Sequence, residues 1–368
     1  MIEERAHNMT DFETTVNEIR NHVDLIKNKL LGETSENGTI IFGAGNCGHK
    51  IYDLLQVYDI EVLCFCDNGA AGKKDEATGL NIISPEKLRD LVENPAILIS
   101  VGDGEACKSI RAQLVSLGFD QSQIHMMEDY FYWQTGEYFE ENIEHYRKAY
   151  ELFDDDFSRK VYLEKMKKVF LLSDISDIVS PGEEEYFDEK LTLTEQEVFV
   201  DCGGFDGDTA KRFAEKCGGK YKNIIIFEPE SCKKEAIRRN MGDHPYELYQ
   251  FGVWSKTAKL YFNAMGTVAS HISESGQGDL IETVSLDETV YDKEPTFIKM
   301  DIEGAEQEAL KGCKKIIREY RPKLAICVYH KPEDFYQIPL MIKEMNPGYK
   351  LYLRQYVNAW YDTVLYAV

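Results

Sequence analysis

No run in this 368-residue chain reaches the roughly 18 consecutive apolar residues that a membrane-spanning helix needs, which excludes a helical membrane span. The N-terminal stretch MIEERAHNMTDFETTVNEIRNHVDLIKNKL is charged throughout and lacks the apolar core of a secretory signal. C-x-x-C pairs are missing as well, although there are nine cysteines: Cys47, Cys64, Cys66, Cys107, Cys202, Cys217, Cys232, Cys313 and Cys327. An odd, scattered set reads as reduced and mostly buried thiols, and with no leader it implies a cytoplasmic protein. Positive charge is scarce: 42 Lys+Arg against 65 Asp+Glu leave a net charge of −23, a surface that repels phosphate backbones and anionic lipid. Nucleic acid is therefore not an expected partner.

What is present suffices for compact cores. Hydrophobic residues make up 43% and charged residues 29%, a globular composition, and the length exceeds one ordinary domain. Phe12, Val16, Ile19, Val23, Ile26 and Leu30 recur at helical spacing and predict an amphipathic helix over residues 11–31 that docks on a first domain. TIIFGAG, the helix-like NCGHKIYDLLQVY and EVLCFCDN form a β-α-β unit, and ISPEKLRDLV, AILISVGD, EACKSIRAQLVSLG and IHMM continue the alternation. Such alternation implies a parallel sheet covered by helices. Between residues 130 and 197 the pattern turns helical and aromatic, with Tyr130, Phe131, Tyr132, Trp133, Tyr138, Phe139, Tyr146 and Tyr150. Within it SPGEEEYFDEK, carrying Glu183, Glu184, Glu185, Asp188 and Glu189, reads as a connector or lid.

Strands VFVDCG, NIIIFEP, YELYQFGVW, FIKMDIE and KLAICVYH follow, and then YKLYLRQYV and TVLYAV, so close that they can pair only as an antiparallel hairpin. The expected fold is α/β with two doubly wound Rossmann-like domains, the second ending in that hairpin, as class I methyltransferase sheets do. The expected boundaries are 1–129, 130–197 and 198–368.

Chemistry gathers at strand ends. In VFVDCGGFDGDT, Asp201, Gly203, Gly204, Asp206, Gly207 and Thr209 stand where an apolar strand turns into a helix, the ligand-binding end of a doubly wound sheet. An acidic rather than phosphate-binding surround suits a cationic sulfonium, while a dinucleotide remains the alternative. Glu228, followed by Pro229, ends the next strand at a spacing that fits a carboxylate binding ribose hydroxyls; it could also cap the following helix. Gly252, Val253 and Trp254 occupy the place of an adenine ring, with core packing an equal account of Trp254. FIKMDIEGAE brings Asp301, Glu303 and Glu306 to another strand end, Glu306 read as a helix-dipole residue, and His330 ends the strand after it.

VFVDCGGFDGDT, FEP, FIKMDIEGAE and KLAICVYHKPEDF together resemble the FkbM family of methyltransferases over roughly residues 185–368. The resemblance implies S-adenosylmethionine as cofactor, surrounded by Asp201, Gly203, Phe205, Thr209, Glu228 and the Gly252–Trp254 segment. Asp301 and Glu303 would then face the site of methyl transfer, and the acceptor would be a hydroxyl of a sugar, a polysaccharide under synthesis or a natural product. A departure is Gly204, where many members carry alanine. A hydroxyl must lose its proton as it attacks, so a base is expected: His330 first, then Asp301 and His271. Two carboxylates with a substrate diol make a thin metal signature, and no metal is expected.

In the first domain Gly43, Gly45 and Gly48 fit G-x-G-x-x-G between a strand and a helix, with Asp67 ending strand two, a nucleotide-site pattern. NAD binding there would make an oxidoreductase; yet the Tyr-x-x-x-Lys pairing of Tyr186 and Lys190 falls outside that domain. The domain also resembles small Rossmann-like modules that precede sugar-modifying enzymes, some of which bind nucleotide-linked sugars, and the resemblance would suit a glycan methyltransferase. A noncatalytic nucleotide-sugar-binding scaffold is the third reading, and a homo-oligomer is admitted by all three.

Overall fold

The structure is a computed structural model that describes residues 2–34, 37–102, 104–127, 130–131, 133–180, 184–263, 271–273 and 279–368. Tyr132 and Glu183 lie outside the described residues, as does the side chain of His271. The chain divides into two compact units, a smaller one of residues 15–139 and 167–173 and a larger one of residues 1–14, 140–166 and 174–368.

Helix α1 (Ile2–Gly32) opens the chain, and Val16, Ile19, Val23 and Leu30 on its apolar stripe are buried, as their spacing predicts. In the smaller unit Lys27 of this helix lies 4.9 Å from the Tyr58 ring centroid. Strands β1 (Thr39–Phe42), β2 (Val62–Cys66), β3 (Ile82–Ile83), β4 (Ala96–Ile99) and β5 (Ile124–Met126) form a sheet of order β3-β2-β1-β4-β5, parallel throughout. Helices α2 (Asn46–Val57) and α3 (Gly104–Ser116) are its crossovers. Strand β4, apolar throughout, and β1, apolar after Thr39, are buried along their whole length, because helices cover both faces of such a sheet. Pro85–Asp90, read as a helix, is a 3₁₀ turn.

Helices α4 (Gly136–Tyr150) and α5 (Asp156–Leu171) follow. Residues 140–166 and 174–197, which the sequence set apart as a connector, are part of the larger unit. Buried charge explains the attachment. Arg354 binds Asp155 Oδ2 at 2.9 Å and Asp188 Oδ2 at 2.8 Å, the Asp154 N–H donates to the Leu351 carbonyl, and the Tyr162 and Phe335 rings stack at 4.4 Å.

Next come β6 (Val198–Cys202), α6 (Asp208–Lys216), β7 (Asn223–Phe227), α7 (Lys234–Met241), β8 (Glu247–Tyr249) and β9 (Gly252–Val253). YELYQFGVW is thus two short strands rather than one. Strands β10 (Ala258–Asn263), β11 (His271–Ser273) and β12 (Asp279–Val284) join β9 in a separate sheet of order β11-β10-β12-β9, which the sequence pattern did not announce. The chain continues through α8 (Leu286–Thr289), β13 (Phe297–Met300), α9 (Glu306–Lys311), α10 (Lys314–Glu319), β14 (Lys323–Cys327), α11 (Asp334–Met345), β15 (Leu351–Gln355) and β16 (Thr363–Ala367).

The main sheet of the larger unit runs β15-β16-β14-β13-β6-β7-β8. Its first five members in chain order, β6, β7, β8, β13 and β14, are parallel; β16 slots between β14 and β15, antiparallel to both. The expected terminal hairpin is present, and the strand order is that of a class I methyltransferase sheet. Order reverses beside β6, and a doubly wound sheet opens a crevice at the strand C-termini at such a point.

Among the described residues no helix is long and apolar enough to cross a membrane.

Candidate active site

The turn after β6 is built by close approach. Gly203 has φ +82°, and a Cβ there would lie 1.9 Å from the Asp301 carbonyl oxygen; at Gly204 it would meet Ile226 Cγ2 at 2.2 Å. Only glycine lets the turn lie this tightly against β13 and β7. The Gly203 and Gly204 N–H groups both donate to the Phe227 carbonyl at 3.0 Å, and Gly207 starts α6. Gly43 repeats the device in the smaller unit: φ +112°, a Cβ 2.7 Å from the Ser100 carbonyl oxygen, and an N–H donating to the Cys66 carbonyl at 2.8 Å.

Above the turn lies a cavity of about 440 Å³, within the range typical of cofactor sites. Its lining includes Phe205, Thr209, Glu228, Pro229, Gly252 and Val253. Phe205 is 58% exposed with φ +46°, and the Lys233 ammonium sits over its ring at 3.5 Å. Glu228 Oε2 accepts the Phe205 N–H at 2.8 Å and Oε1 accepts the Glu230 N–H at 2.8 Å. Each oxygen keeps a lone pair for a further donor. Burial pushes the Glu228 carboxyl up to about 7 against the pull of these two N–H groups. Asp67 is spent differently: its Oδ2 accepts from Ala44 N–H and its Oδ1 from the Gly69 and Ala70 N–H groups, so three backbone bonds hold the loop together.

The same lining presents Glu185, Tyr186, Asp301, Glu303, Tyr329 and Asp362. Asp301 Oδ2 accepts the Tyr186 hydroxyl at 2.8 Å, and Oδ1 lies 3.4 Å from His330 Nε2. Burial alone would raise the Asp301 pKa, but Lys299, His330 and Tyr186 hold it below the usual carboxylate value. Glu303, at φ +57° and 3.7 Å from His330 Nε2, is pushed up to about 7 by burial and its acidic neighbours. Fully buried Glu306 accepts the Ile302 N–H at 2.9 Å and lies 3.0 Å from His330 Nδ1. It is a partner of His330, which helix-dipole reasoning did not foresee. Burial would lower the His330 pKa; Glu306, Asp301 and Glu303 raise it instead to about 9.

Lys299, absent from the sequence reading, is the buried cation under the turn. Its Nζ donates to the Gly203 carbonyl at 2.8 Å and lies 3.1 Å from Asp201 Oδ1. Burial opposes its charge, yet Asp201 and Asp301 hold it well above the ordinary lysine value. The alternation of strand FIKM carried a signal: a lysine amid a fully buried strand requires a buried anion. Asp201 therefore supports the turn from below. Of the other expected residues, Gly204, Asp206, Trp254 and His330 are not on the cavity wall, and the His271 side chain is outside the described residues. Tyr186 and Lys190 do not act as a pair: the Tyr186 hydroxyl goes to Asp301, and Lys190 binds Glu189.

Residues 201–355 match the family model described as Methyltransferase FkbM domain, and residues 35–125 match one described as C2185-like, N-terminal. Among curated proteins none matches the chain. The crystal structure of methyltransferase FkbM from Methylobacillus flagellatus KT is similar with a TM-score of 0.65 and 21% identity, covering 97% of this chain and 100% of that one, a likeness of fold. A precorrin-6y C5,15-methyltransferase from Geobacter metallireducens GS-15 aligns over 52% of this chain and 93% of its own, at 10% identity and a TM-score of 0.30, too low to carry weight. The class I strand order, the glycine turn and the cavity all lie in the larger unit, to which residues 201–355, similar to the FkbM methyltransferase domain, belong.

Proposed function

We propose that the cavity of the larger unit binds S-adenosylmethionine and methylates a hydroxyl of a sugar, glycan or natural-product acceptor. The observation that carries the reading is one cavity lined by the glycine turn, Glu228, Asp301 and Glu303 together. The donor set fits the cofactor. Glu228 retains acceptor capacity for ribose hydroxyls, the exposed Phe205 ring offers an apolar face, and the Asp301 and Glu303 carboxylates on the lining suit a positive sulfonium. When bound, S-adenosylmethionine supplies an electrophilic methyl group.

The chain's own residues then have to orient a hydroxyl and take its proton. His330 is a poor base here, because at neutral pH its ring is held protonated and each nitrogen faces a carboxylate. It serves as a cation that fixes Asp301 and Glu306. Glu303, on the cavity wall with a pKa near 7, is charged enough to accept a proton and basic enough to keep it, so we assign it as the general base. Asp301, Glu306 and His330 could each offer one ligand atom to a metal ion, all within 4.8 Å of one another. The imidazolium already supplies the positive charge those carboxylates need, and we propose a metal-independent transfer. Acceptor hydroxyls would be held by Glu185 and Asp362, whose acidic surround disfavours an anionic group there. A nucleotide-linked sugar would have to keep its phosphates outside.

The test is calorimetric titration of S-adenosylmethionine and, separately, NAD into the full chain and its Glu228→Ala variant. Saturable S-adenosylmethionine binding that the substitution weakens at least tenfold, with the melting temperature preserved, supports the reading. Binding of NAD alone, unaffected by Glu228→Ala, would move the active centre to Gly43–Asp67 and refute it.

A further inference from the structure

Tyr186 belongs to the segment that the sequence marked as a connector, and it precedes the stretch matched by the methyltransferase family model. Its conformation is costly. At φ +71° it occupies the left-handed region, which penalises a residue with a Cβ by roughly 1–2 kcal/mol. The surrounding structure imposes this. The Tyr186 N–H donates to the Tyr366 hydroxyl at 2.9 Å, that hydroxyl pairs with Tyr356 at 2.6 Å, and two residues on Asp188 is locked by Arg354 at 2.8 Å.

The strained turn drives the phenol inward, leaving the residue 4% exposed, and its hydroxyl meets Asp301 Oδ2 at 2.8 Å. Burial and the facing carboxylate push the phenol pKa well above its usual value, so the hydroxyl remains a donor. Asp301 is then gripped from several elements. Lys299 approaches from its own strand, and Cys327, Tyr329 and His330 from the end of β14, while Glu185, Glu303 and Asp362 add negative charge nearby. Among the described residues the Tyr186 hydroxyl bonds Oδ2 at 2.8 Å, while Oδ1 faces His330 Nε2 at 3.4 Å and accepts the Tyr329 hydroxyl at 3.5 Å.

We infer that Tyr186 is a positioning residue of the methyl-transfer site, holding the Asp301 carboxylate in the orientation that meets the positive sulfonium. This rests on the function proposed above. It also accounts for a tyrosine held in a backbone conformation that glycine would adopt at no cost.

The experiment compares S-adenosylmethionine, a cation at sulfur, with S-adenosylhomocysteine, a neutral thioether, by calorimetry on the full chain. Tyr186→Phe keeps the ring and removes one hydroxyl. The expected result is S-adenosylmethionine affinity lower by about tenfold, the scale of one hydrogen bond to a charged group, with S-adenosylhomocysteine changed by less than about twofold. Asp301→Asn should show the same selectivity, and the double variant should be no worse than Asp301→Asn alone. Equal losses for both ligands, no loss for either, or additive losses in the double variant would each overturn the inference. If the unmodified chain binds neither ligand, the methyltransferase site itself is refuted, a result that cannot be confused with an unchanged Tyr186→Phe.

Discussion

Gly203→Ala tests whether the turn under the cavity is as tightly specified as its geometry requires. The added methyl would stand 1.9 Å from the Asp301 carbonyl oxygen and 3.2 Å from Ile302 Cγ2, at a residue with φ +82°. The left-handed backbone costs about 1 kcal/mol for alanine. The contact must open by more than 1 Å, and its partner is backbone in a buried strand end whose Asp301 N–H bonds the Cys202 carbonyl at 3.1 Å. Overpacking against immobile backbone adds about 2–3 kcal/mol, for a total of about 3–4 kcal/mol. For a unit of this size that is a fall of roughly 6–16 °C in melting temperature, read by differential scanning calorimetry. Gly45→Ala is the control: nothing lies within 4 Å of its Cβ and its backbone is extended, so melting should stay within about 2 °C. A Gly203→Ala protein that melts with the unmodified chain would refute the reasoning, since it would mean β6 and β13 can part freely at the cavity floor.

Two further outcomes follow from buried charge. Lys299→Met removes the cation between Asp201 and Asp301 and leaves buried carboxylates uncompensated, so chemical denaturation should show a loss of about 3–5 kcal/mol, partly restored by adding Asp201→Asn. His330 has a folded pKa raised from 6.5 to about 9, so its contribution is fully present below pH 6.5 and is lost as pH rises through 9. A shift of that size corresponds to about 3 kcal/mol. Stability measured from pH 6 to 10 should therefore fall more steeply in the unmodified chain than in His330→Gln, and parallel curves would contradict the imidazolium assignment.

Much of the fold was legible because it is local. Alternating apolar strands and helical stretches announced both parallel sheets, and the short link between the last two strands left only a hairpin. The insertion of β16 between β14 and β15 was not readable, since strand order depends on which edge is free once the sheet assembles. The sheet of β9 to β12 escaped for a related reason: β9 has only two residues, and its pairing with β12 joins Gly252 and Val253 to Thr283 and Val284, about 30 residues further along the chain.

The sequence by itself determined where ligands can approach: glycines after β1 and β6, the carboxylate ending β7, and the DIEGAE turn after β13, each a local consequence of strand meeting helix. Tertiary structure alone decided what surrounds each of these groups. Asp67 and Glu228 occupy matching places, yet Asp67 accepts three backbone N–H groups while Glu228 accepts two and lines a cavity. Likewise His330 looks like a base in sequence and becomes a cation only because Asp301, Glu303 and Glu306 converge on it. Protonation state is set by the charges and solvent around a group, and those neighbours are brought together by folding.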